Sequence, residues 1–307
     1  MATWLFNKGI NGATIYGINT DALHLSITKA DDKILIGKEL TRGLGCGGYP
    51  KKGREAAKES LTDLKKSVSN SDMVFVLAGM GGGSGTGSIP VVAQLAKEAG
   101  AVVIAVVTMP FEAEKARIDK AEFGLQELRE SVDTVIVLDN NRLVDIAGQL
   151  PMEQAFAVAN ELVSTMIKGI VETITLPSLI NLDYADVSSI MKNGDVAVIG
   201  IGEDNSQSRV DQAVQQALTH PLLDVDYRGA SGALVHITCG PDLKLEEFDT
   251  IGRLVTENLS PEAQVIIGAR VNKEVQGRVR VITIMTGVKS PYILGRHGSS
   301  SFDNEPS

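Results

Sequence analysis

The stretch MVFVLAGMGGGSGTG, residues Met73 to Gly87, runs from a short apolar segment directly into a turn rich in glycine. Met73 to Ala78 shows no period in its apolar residues, which is typical of a strand covered on both faces of a parallel sheet. Gly79 to Gly87 contains six glycines, and from Ile89 to Ala99 apolar residues recur at helical spacing. The segment therefore predicts a strand, a glycine turn and a helix N-terminus in direct succession.

A glycine turn between a strand and a helix is suited to binding phosphate. Glycine lets the backbone approach a ligand closely, and the N–H groups and dipole at a helix N-terminus attract negative charge. Ser84 and Thr86 are the only hydroxyl side chains in the turn and could add donors. A Walker A loop requires a lysine after the glycines, and none follows here. The competing interpretation is a flexible surface loop, but the density of glycines at this position favours phosphate binding.

Length and composition describe an ordinary globular protein. The chain has 307 residues, of which 43% are hydrophobic, and a formal net charge of −9. The length predicts two domains, and the negative charge argues against nucleic acid as a partner. No apolar run approaches the roughly 20 residues of a transmembrane helix, and no signal peptide is recognisable. We therefore expect a cytoplasmic protein with no direct membrane insertion.

Cysteine and histidine spacing indicates neither a disulfide framework nor a metal site. The two cysteines lie far apart without a CxxC pair, and the four histidines have no paired spacing. We interpret each histidine as a structural or surface residue.

The first half of the chain alternates between strand and helix patterns. A second glycine loop, Thr41 to Pro50, precedes a predicted helix from about Lys52 to Val68, and another helix is predicted over roughly Glu112 to Glu130. The further predicted strands are Ala13–Ile18, Lys33–Ile36, Ala101–Thr108 and Thr134–Leu138. This alternation predicts an α/β fold with a parallel, doubly wound sheet.

The second half begins with a long helical pattern from Pro151 to about Thr173, with proline in its first turn. Helices are predicted near Ser206–Thr219 and Leu243–Asn258. The predicted strands are Val196–Ile201, Ala233–Thr238, Ala263–Ile267 and Arg278–Met285. Because the last two strands are joined by a short link, we expect an antiparallel or mixed sheet here.

Seven stretches, in order along the chain, resemble the tubulin/FtsZ family, and most of all FtsZ, the prokaryotic relative of tubulin. They are NTDA (Asn19–Ala22), TRGLGCGGYPKKG (Thr41–Gly53), AGMGGGSGTGS (Ala78–Ser88), VVTMPF (Val106–Phe111), AFAVAN (Ala155–Asn160), LINLDYADV (Leu179–Val187) and GARVNKEVQGRVRV (Gly268–Val281). The resemblance extends from about Ala2 to Gly295, and the closing MTGVKSPYILG is more similar to archaeal than to bacterial members.

The resemblance implies the tubulin/FtsZ fold, with a Rossmann-like parallel-sheet GTPase domain, a long central helix and a second α+β domain with a mixed sheet. The implied boundaries are 1–150 for the GTP-binding domain and 151–175 for the central helix. A C-terminal GTPase-activating and polymerisation domain is implied for 176–294, and a disordered tail for 295–307.

The resemblance also implies a site for GTP or GDP, with Mg²⁺ held mainly by the nucleotide phosphates and no certain protein ligand. Residues implied to surround the phosphates are Gly81, Gly82, Gly83, Ser84, Gly85, Thr86 and Gly87. Residues implied on the γ-phosphate side are Gly45, Cys46, Gly47 and Gly48, with Asn19 at the end of a neighbouring strand.

For the nucleoside, the resemblance implies that Phe156 stacks on guanine and that Asn160, one helical turn on, bonds the base edge. Glu114 and Arg117 would hold the ribose and base region, with Pro110 and Asn140 at the same edge. On its own, Phe156 is an ordinary core residue and the charged pair a solvated helix face. The family pattern PFxxExxxR departs from this sequence by one residue, and the alternative register places Ile118 at the arginine position.

Asp183 and Asp186 lie three residues apart and share a face if a helix begins at Asp183. An N-cap role would explain one carboxylate but not both. The resemblance implies that these aspartates, with Asn181, dock on the GTP of the next subunit and orient the attacking water. A head-to-tail contact that does not close into a ring produces a filament.

The resemblance thus implies a polymerisation-dependent GTPase of cell division that forms a cytokinetic ring at mid-cell. Its membrane-anchoring and division partners cannot be named from the sequence.

One family feature is absent. A GxGGxGNN loop and the strand before it would precede the residue at which this chain begins, and that strand would be central in the sheet. We therefore expect unpaired strand edges and an apolar gap, and interpret the sequence as a truncated record or one with a misassigned start, rather than a natural protein that lacks its middle strand.

Two other functions are compatible with parts of the sequence. Gly43 to Gly48 satisfies GxGxxG, but a dinucleotide-dependent oxidoreductase needs an acidic residue at the end of a second strand, and Asp63 falls in a predicted helix. The other alternative is a filament protein that binds GTP without hydrolysing it, against which the aspartate pair argues.

Overall fold

The computed structural model describes residues 1–176, 179–180, 182–192, 194–219 and 227–288. Nine strands lie in these ranges. In chain order they are β1 (Tyr16–Asn19), β2 (Asp32–Leu35), β3 (Met73–Gly79), β4 (Val102–Met109), β5 (Thr134–Asp139), β6 (Asp195–Asp204), β7 (Gly232–Cys239), β8 (Gln264–Val271) and β9 (Val279–Thr286).

Twelve α-helices connect or cover these strands within the described ranges. They are α1 (Ala2–Lys8), α2 (Ala22–Ile27), α3 (Lys38–Thr41), α4 (Pro50–Glu59), α5 (Leu61–Val68), α6 (Ser84–Glu98), α7 (Ala116–Ser131), α8 (Asn140–Ala147), α9 (Met152–Thr175), α10 (Tyr184–Met191), α11 (Arg209–Leu218) and α12 (Leu245–Thr256). Short 3-10 helices cover Glu112–Glu114 and Lys273–Val275.

The strands form two sheets. β1 and β2 pair in parallel with each other, and the other seven form a sheet of order β3-β4-β5-β6-β9-β7-β8. β3 to β6 are parallel, whereas β9 is antiparallel to both of its neighbours. The predicted parallel first half and mixed second half are therefore confirmed.

The link between the last two strands differs from a hairpin. β8 and β9 are consecutive in the chain, yet β9 lies between β6 and β7 and does not pair with β8. β9 pairs with β6 from Ala197 to Asp204 on one side and with β7 from Gly232 to Cys239 on the other. It therefore joins the two halves of the sheet.

Two predicted helices are interrupted. The helix expected over Lys52 to Val68 is two helices, α4 and α5, separated at Ser60. The helix expected over Glu112 to Glu130 begins as a 3-10 turn and restarts as α7 after Lys115, whose φ of 26° is incompatible with a continuous helix. α8 is not among the helices predicted from the sequence.

The core has a layer on each face of the large sheet. Val103, Ala105 and Val107 of β4 point into the layer formed by α4, α6, α7 and their neighbours. Val102, Ile104 and Val106 point into the layer formed by α9 and α10. Since both faces are covered, β4 is apolar along its whole length, which explains the absence of a period in its sequence.

β3 is the edge strand of the large sheet. Among the described residues its one sheet partner is β4, and the β1–β2 pair forms a separate sheet. Most of its side chains are therefore only partly buried, although they pack on both faces, whereas β4 is almost entirely buried. The tail predicted as disordered lies outside the described residues.

Candidate functional site

The glycine turn of the sequence forms a loop between the end of β3 at Gly79 and the start of α6 at Ser84. The N-cap of α6 is Gly83, which has no side chain to accept hydrogen bonds from the first turn of the helix. The first N–H groups of a 15-residue helix therefore remain available at the carboxyl end of a parallel strand. This is the geometry of an anion site.

Thr86 and Ser84 have different roles in the loop. Thr86 is 1% exposed, and its hydroxyl accepts a 2.9 Å hydrogen bond from the Gly81 amide, so it closes the loop from inside. Ser84 is half-buried at the first residue of α6, and its hydroxyl lies 2.5 Å from the Thr20 hydroxyl. Ser84 is therefore the hydroxyl nearer to a ligand of the loop.

The second glycine loop packs directly against the first. A Cβ atom at Gly83 would lie 2.6 Å from the Cβ of Cys46 and 2.9 Å from the Tyr49 amide nitrogen, so only glycine fits there. The Gly45 amide donates to the Thr20 carbonyl. The two loops and the end of β1, with Asn19 and Thr20, thus converge on one region.

Lys120 of α7 adds a positive charge at this region that the sequence analysis did not identify. Its ammonium group donates a 2.8 Å hydrogen bond to the Gly48 carbonyl and lies 5.6 Å from the centre of the Tyr49 ring. In the sequence, the position of Lys120 one helical turn after Arg117 could have indicated that it lies at the same region. A cation here is suited to an anionic ligand of the loops.

Glu114 and Arg117 contact each other. A guanidinium nitrogen of Arg117 lies 2.7 Å from Glu114 Oε2, and Glu114 Oε1 accepts from the Phe111 amide. Arg117 also lies against the glycine loop between Gly79 and Ser84, called the phosphate loop from here on, since a Cβ at Gly81 would be 2.9 Å from the Arg117 Cβ. Arg117 is the second residue after the bend at Lys115, and its side chain is the one that contacts Glu114.

The residues expected at the nucleoside end are also neighbours. Phe156 of α9 meets Phe111 edge to face, with ring centres 6.0 Å apart. Asn160 lies one turn further along the same helix, and its amide donates to the Phe156 carbonyl. Pro110 is buried directly after β4, and Asn140 is the first residue of α8. The aromatic pair therefore lies between the C-terminal end of β4 and the N-terminal part of α9.

Asn141 is a second residue at this edge that the sequence analysis missed. Its side-chain oxygen accepts a 2.9 Å hydrogen bond from the Glu112 amide, and its amide group donates to the buried Asp139 carboxylate. Asp139 also caps α8. Asn141 therefore fixes the turn that carries Glu114.

Asp183 and Asp186 form a reciprocal capping box at the start of α10. Asp183 Oδ1 accepts a 2.8 Å hydrogen bond from the Asp186 amide, and Asp186 Oδ2 accepts a 3.1 Å bond from the Asp183 amide. The expectation that capping explains only one carboxylate is therefore wrong. Each carboxylate uses one oxygen in the box. Asn181 lies outside the described residues.

The aspartate pair lies at the opposite end of the sheet from the phosphate loop. Tyr184, the residue after Asp183, donates from its hydroxyl to the Asp72 carbonyl at 2.7 Å. Asp72 directly precedes β3, and the phosphate loop directly follows β3. The seven residues of this strand span about 23 Å. The aspartate pair and the glycine loop therefore cannot contact the same ligand within one chain.

Neither a metal cluster nor a membrane-spanning helix is found in the part of the chain that the structure describes. No three histidine, cysteine or acidic side chains there are grouped so that they could hold a metal ion. None of the helices in the same ranges has the length and apolar character needed to span a membrane.

Comparison with known proteins places these features in a family. Residues 4–148 match the Tubulin/FtsZ family GTPase domain, and residues 195–289 match the FtsZ family C-terminal domain. The chain is 54% identical over 295 residues to "Cell division protein FtsZ 2" of Methanocaldococcus jannaschii, covering 95% of this chain and 78% of that protein. It is 51% identical to "Cell division protein FtsZ 1" of Archaeoglobus fulgidus, covering 96% of this chain and 81% of that protein.

Solved structures give the same result. The structure titled "FtsZ dimer, empty (M. jannaschii)" superposes with a TM-score of 0.87 at 49% identity, covering 93% of this chain and 84% of that chain. "CetZ2 from Haloferax volcanii - GTPgS bound protofilament" superposes with a TM-score of 0.79, covering 95% of this chain and 91% of that chain, at 22% identity, which shows the fold alone.

Proposed function

Because the chain belongs to the FtsZ family of tubulin-like cell-division GTPases, we propose that it hydrolyses GTP in a site shared between two copies of itself. One copy binds the nucleotide at the loops after β1 and β3. The next copy, added head to tail, supplies Asp183 and Asp186.

The observation that carries the proposal is the separation of the two half-sites by the length of β3. The phosphate loop follows Gly79 and the aspartate pair is tied to Asp72, about 23 Å apart along the strand. A carboxylate that orients an attacking water must lie within hydrogen-bond reach of it. Only a second copy, translated along the direction of β3, brings the two half-sites together, and repeating that contact builds a filament.

In this proposal the glycine loop binds the phosphates through the first amides of α6, with Ser84 as side-chain donor. Glu114, Arg117 and Asn140 surround the ribose and base, while Phe156 stacks on guanine and Asn160 bonds its edge. A base-edge amide discriminates strongly because a wrong base leaves buried groups unsatisfied.

Mg²⁺, when bound with the nucleotide, would neutralise phosphate charge, and the site suits an ion held mainly by phosphate oxygens. The donors at the phosphate loop are backbone amides, hydroxyls and Lys120, none of which is a hard anionic ligand. The protein's own contribution there is therefore positioning and charge stabilisation of the phosphates.

The capping box prepares the aspartates for their role. Since one oxygen of each carboxylate is held by a backbone amide, the box fixes the direction of the other oxygen. Preorganised groups need no rearrangement when the partner's nucleotide arrives. Asp183 is exposed and Asp186 half-buried, which leaves Asp183 better placed to reach across a contact.

We further propose that residues 1–150 form the GTP-binding domain, 151–175 the central helix and 176–294 the domain that activates hydrolysis. The filament would assemble at the division ring, with anchoring proteins as additional partners. The family models, which match 4–148 and 195–289, support a boundary on either side of α9.

The test is phosphate release from GTP at several protein concentrations, with light scattering recorded in parallel. We expect activity per molecule to rise with concentration and to follow scattering. Asp183→Asn should still assemble but release phosphate about 100-fold more slowly, because the water is no longer oriented. Filaments without phosphate release in the wild type would instead support a non-hydrolysing filament protein.

A mixing experiment tests the sharing of the site directly. Asp183→Asn keeps its phosphate loop, and Gly82→Ala, which we expect to bind nucleotide weakly, keeps its aspartates. Their mixture should exceed the sum of the separate activities, because some contacts join an intact loop to intact aspartates. A mixture of Asp183→Asn with Asp186→Asn is the matched control and should show no gain. Activity equal to the sum in both mixtures would contradict a shared site.

A further inference from the structure

Thr20 lies at the meeting point of three loops that are distant in the sequence. It follows β1, is fully buried, and contacts Ser84 at 2.5 Å between hydroxyl oxygens. The same hydroxyl accepts a hydrogen bond from the Cys46 thiol at 3.4 Å. Cys46 belongs to the second glycine loop and is 3% exposed. One buried hydroxyl therefore connects both glycine loops.

The backbone of Thr20 strengthens this connection. Its carbonyl accepts from the Gly45 amide at 3.2 Å and lies 3.1 Å from the Thr41 hydroxyl, which is also 2.9 Å from the Gly37 carbonyl. Its amide donates to the Asn19 side-chain oxygen at 2.8 Å. Because its donors and acceptors are all engaged, Thr20 has one orientation. It cannot turn without leaving several buried groups unpaired.

The direction of the hydrogen bonds determines what Ser84 offers to a ligand. A hydroxyl has a single hydrogen to donate, and it can accept in addition. Since the Cys46 thiol donates to Thr20, the Thr20 hydrogen is available for Ser84, and the Ser84 hydrogen is then free to point outward. If Ser84 instead donated to Thr20, its only hydroxyl hydrogen would be engaged there, and it would present only lone pairs to the ligand.

We propose that Cys46 and Thr20 are positioning residues that hold Ser84 as a donor toward phosphate. The donor chain runs from the Cys46 thiol to Thr20, then to Ser84 and on to an anionic oxygen. An anion only accepts, so this direction is attractive and the reverse is repulsive. The final bond is charge-assisted, and aligned hydroxyls polarise one another. This inference rests on the proposed function, since it requires a nucleotide phosphate at the loop.

Thr20→Val is the principal variant because it keeps the shape of the side chain and removes the hydroxyl. We expect its GDP affinity, measured by displacement of a fluorescent GDP analogue, to fall about tenfold. Thr20→Ser, the matched control, keeps the hydroxyl and should remain within about twofold of the wild type. Equal GDP affinity for Thr20→Val and the wild type would overturn the inference while leaving the proposed function intact.

A double-mutant cycle with Ser84→Ala separates positioning from general damage to the loops. If Thr20 acts through the Ser84 hydroxyl, Thr20→Val should have little further effect in the Ser84→Ala background. An undiminished tenfold loss in that background would show that Thr20 only supports the fold, which overturns the donor chain. A wild type that binds no GDP would overturn the proposed function and this inference with it.

Cys46 supplies an independent variant if Thr20→Val does not fold. Cys46→Ala removes the first donor and should weaken GDP binding about threefold, whereas Cys46→Ser replaces the thiol by a stronger donor and should preserve it. Equal GDP affinity for Cys46→Ala and the wild type would contradict the proposed direction of the chain.

Discussion

The hydroxyl of Tyr184 donates a 2.7 Å hydrogen bond to the carbonyl oxygen of Asp72, and so ties the start of α10 to the start of β3. Asp183 and Asp186 lie on either side of Tyr184, and the phosphate loop lies at the far end of the same strand. The contact therefore fixes the aspartates relative to the sheet that carries the loop.

Tyr184→Phe should test this tie because it removes only the hydroxyl. We expect the free energy of unfolding to fall by about 1 kcal/mol and phosphate release to slow about two- to fivefold. GDP affinity should not change, since the loop is at the other end of β3. Urea unfolding, phosphate release and GDP displacement measure the three quantities. A weakened GDP affinity would show that the effect reaches the loop through the sheet.

Gly82 in the loop and Gly87 in the first turn of α6 should respond in opposite ways to substitution by alanine. A Cβ at Gly87 would overlap the Pro50 carbonyl oxygen where α4 packs on α6, so Gly87→Ala should destabilise the protein by at least about 2 kcal/mol. A Cβ at Gly82 would meet no protein atom within 4 Å. Gly82→Ala should therefore leave stability unchanged.

The space beside Gly82 is where we expect the phosphates, so Gly82→Ala should weaken GDP binding about tenfold by keeping them from the backbone. Thermal unfolding and GDP displacement on both variants distinguish packing from binding. A Gly82→Ala variant that binds GDP as the wild type does would exclude close backbone approach at this residue.

Arg209 joins α11 to the start of α12. Its guanidinium contacts Asp242 at 2.5 Å and Glu247 at 2.9 Å and 3.0 Å, and its side chain is only 12% exposed. Its hydrogen bonds hold the pKa of both carboxyls below their usual range. Because lysine cannot form the two-pronged contact, Arg209→Lys should reduce the free energy of unfolding by about 1–3 kcal/mol.

Arg253 offers the control for this change. It pairs with Asp249 on the surface of α12, and its side chain is 71% exposed. Arg253→Lys should change the free energy of unfolding, measured by urea unfolding, by less than about 0.5 kcal/mol. Equal effects of the two substitutions would mean that the Arg209 contacts contribute no more than a surface pair.

His236 of β7 predicts a dependence of stability on pH. The side chain is 4% exposed, and its Nδ1 is buried without a hydrogen-bond partner. Burial, with the Arg270 charge nearby, lowers the pKa of His236 from 6.5 to about 4. Between these values the unfolded chain binds a proton more readily than the folded protein, so stability is lost as the pH falls.

We expect the contribution of His236 to the free energy of unfolding to fall by about 2 kcal/mol when the pH is lowered from 7 to 5. His236→Gln cannot titrate and should lack this part of the dependence. Urea unfolding of both proteins at the two pH values gives the difference, in which the effects of other titrating groups cancel. Parallel pH profiles would show that His236 is not the responsible group.

The sequence was most informative where the chemistry is local. The strand, glycine loop and helix from Met73 to Glu98 were predicted in order because glycine density and apolar spacing act within one segment. The α8 helix was missed. The helix after Phe111 was predicted as continuous, whereas a single residue at positive φ, Lys115, interrupts it. The start of a helix at Asp183 was predicted correctly, but capping was expected to involve only one of the two carboxylates and involves both.

By itself the sequence determined the family, the glycine loop between a strand and a helix, and the helix that begins at Asp183, since each depends on residues adjacent in the chain. Only the tertiary structure decided that β9 lies between β6 and β7, and that loop and aspartates face opposite ends of β3. The contacts of Thr20 with Cys46 and Ser84 could likewise not be predicted from the sequence. Hydrogen bonds that span 26 and 64 residues follow from the packing of loops and leave no local pattern in the sequence.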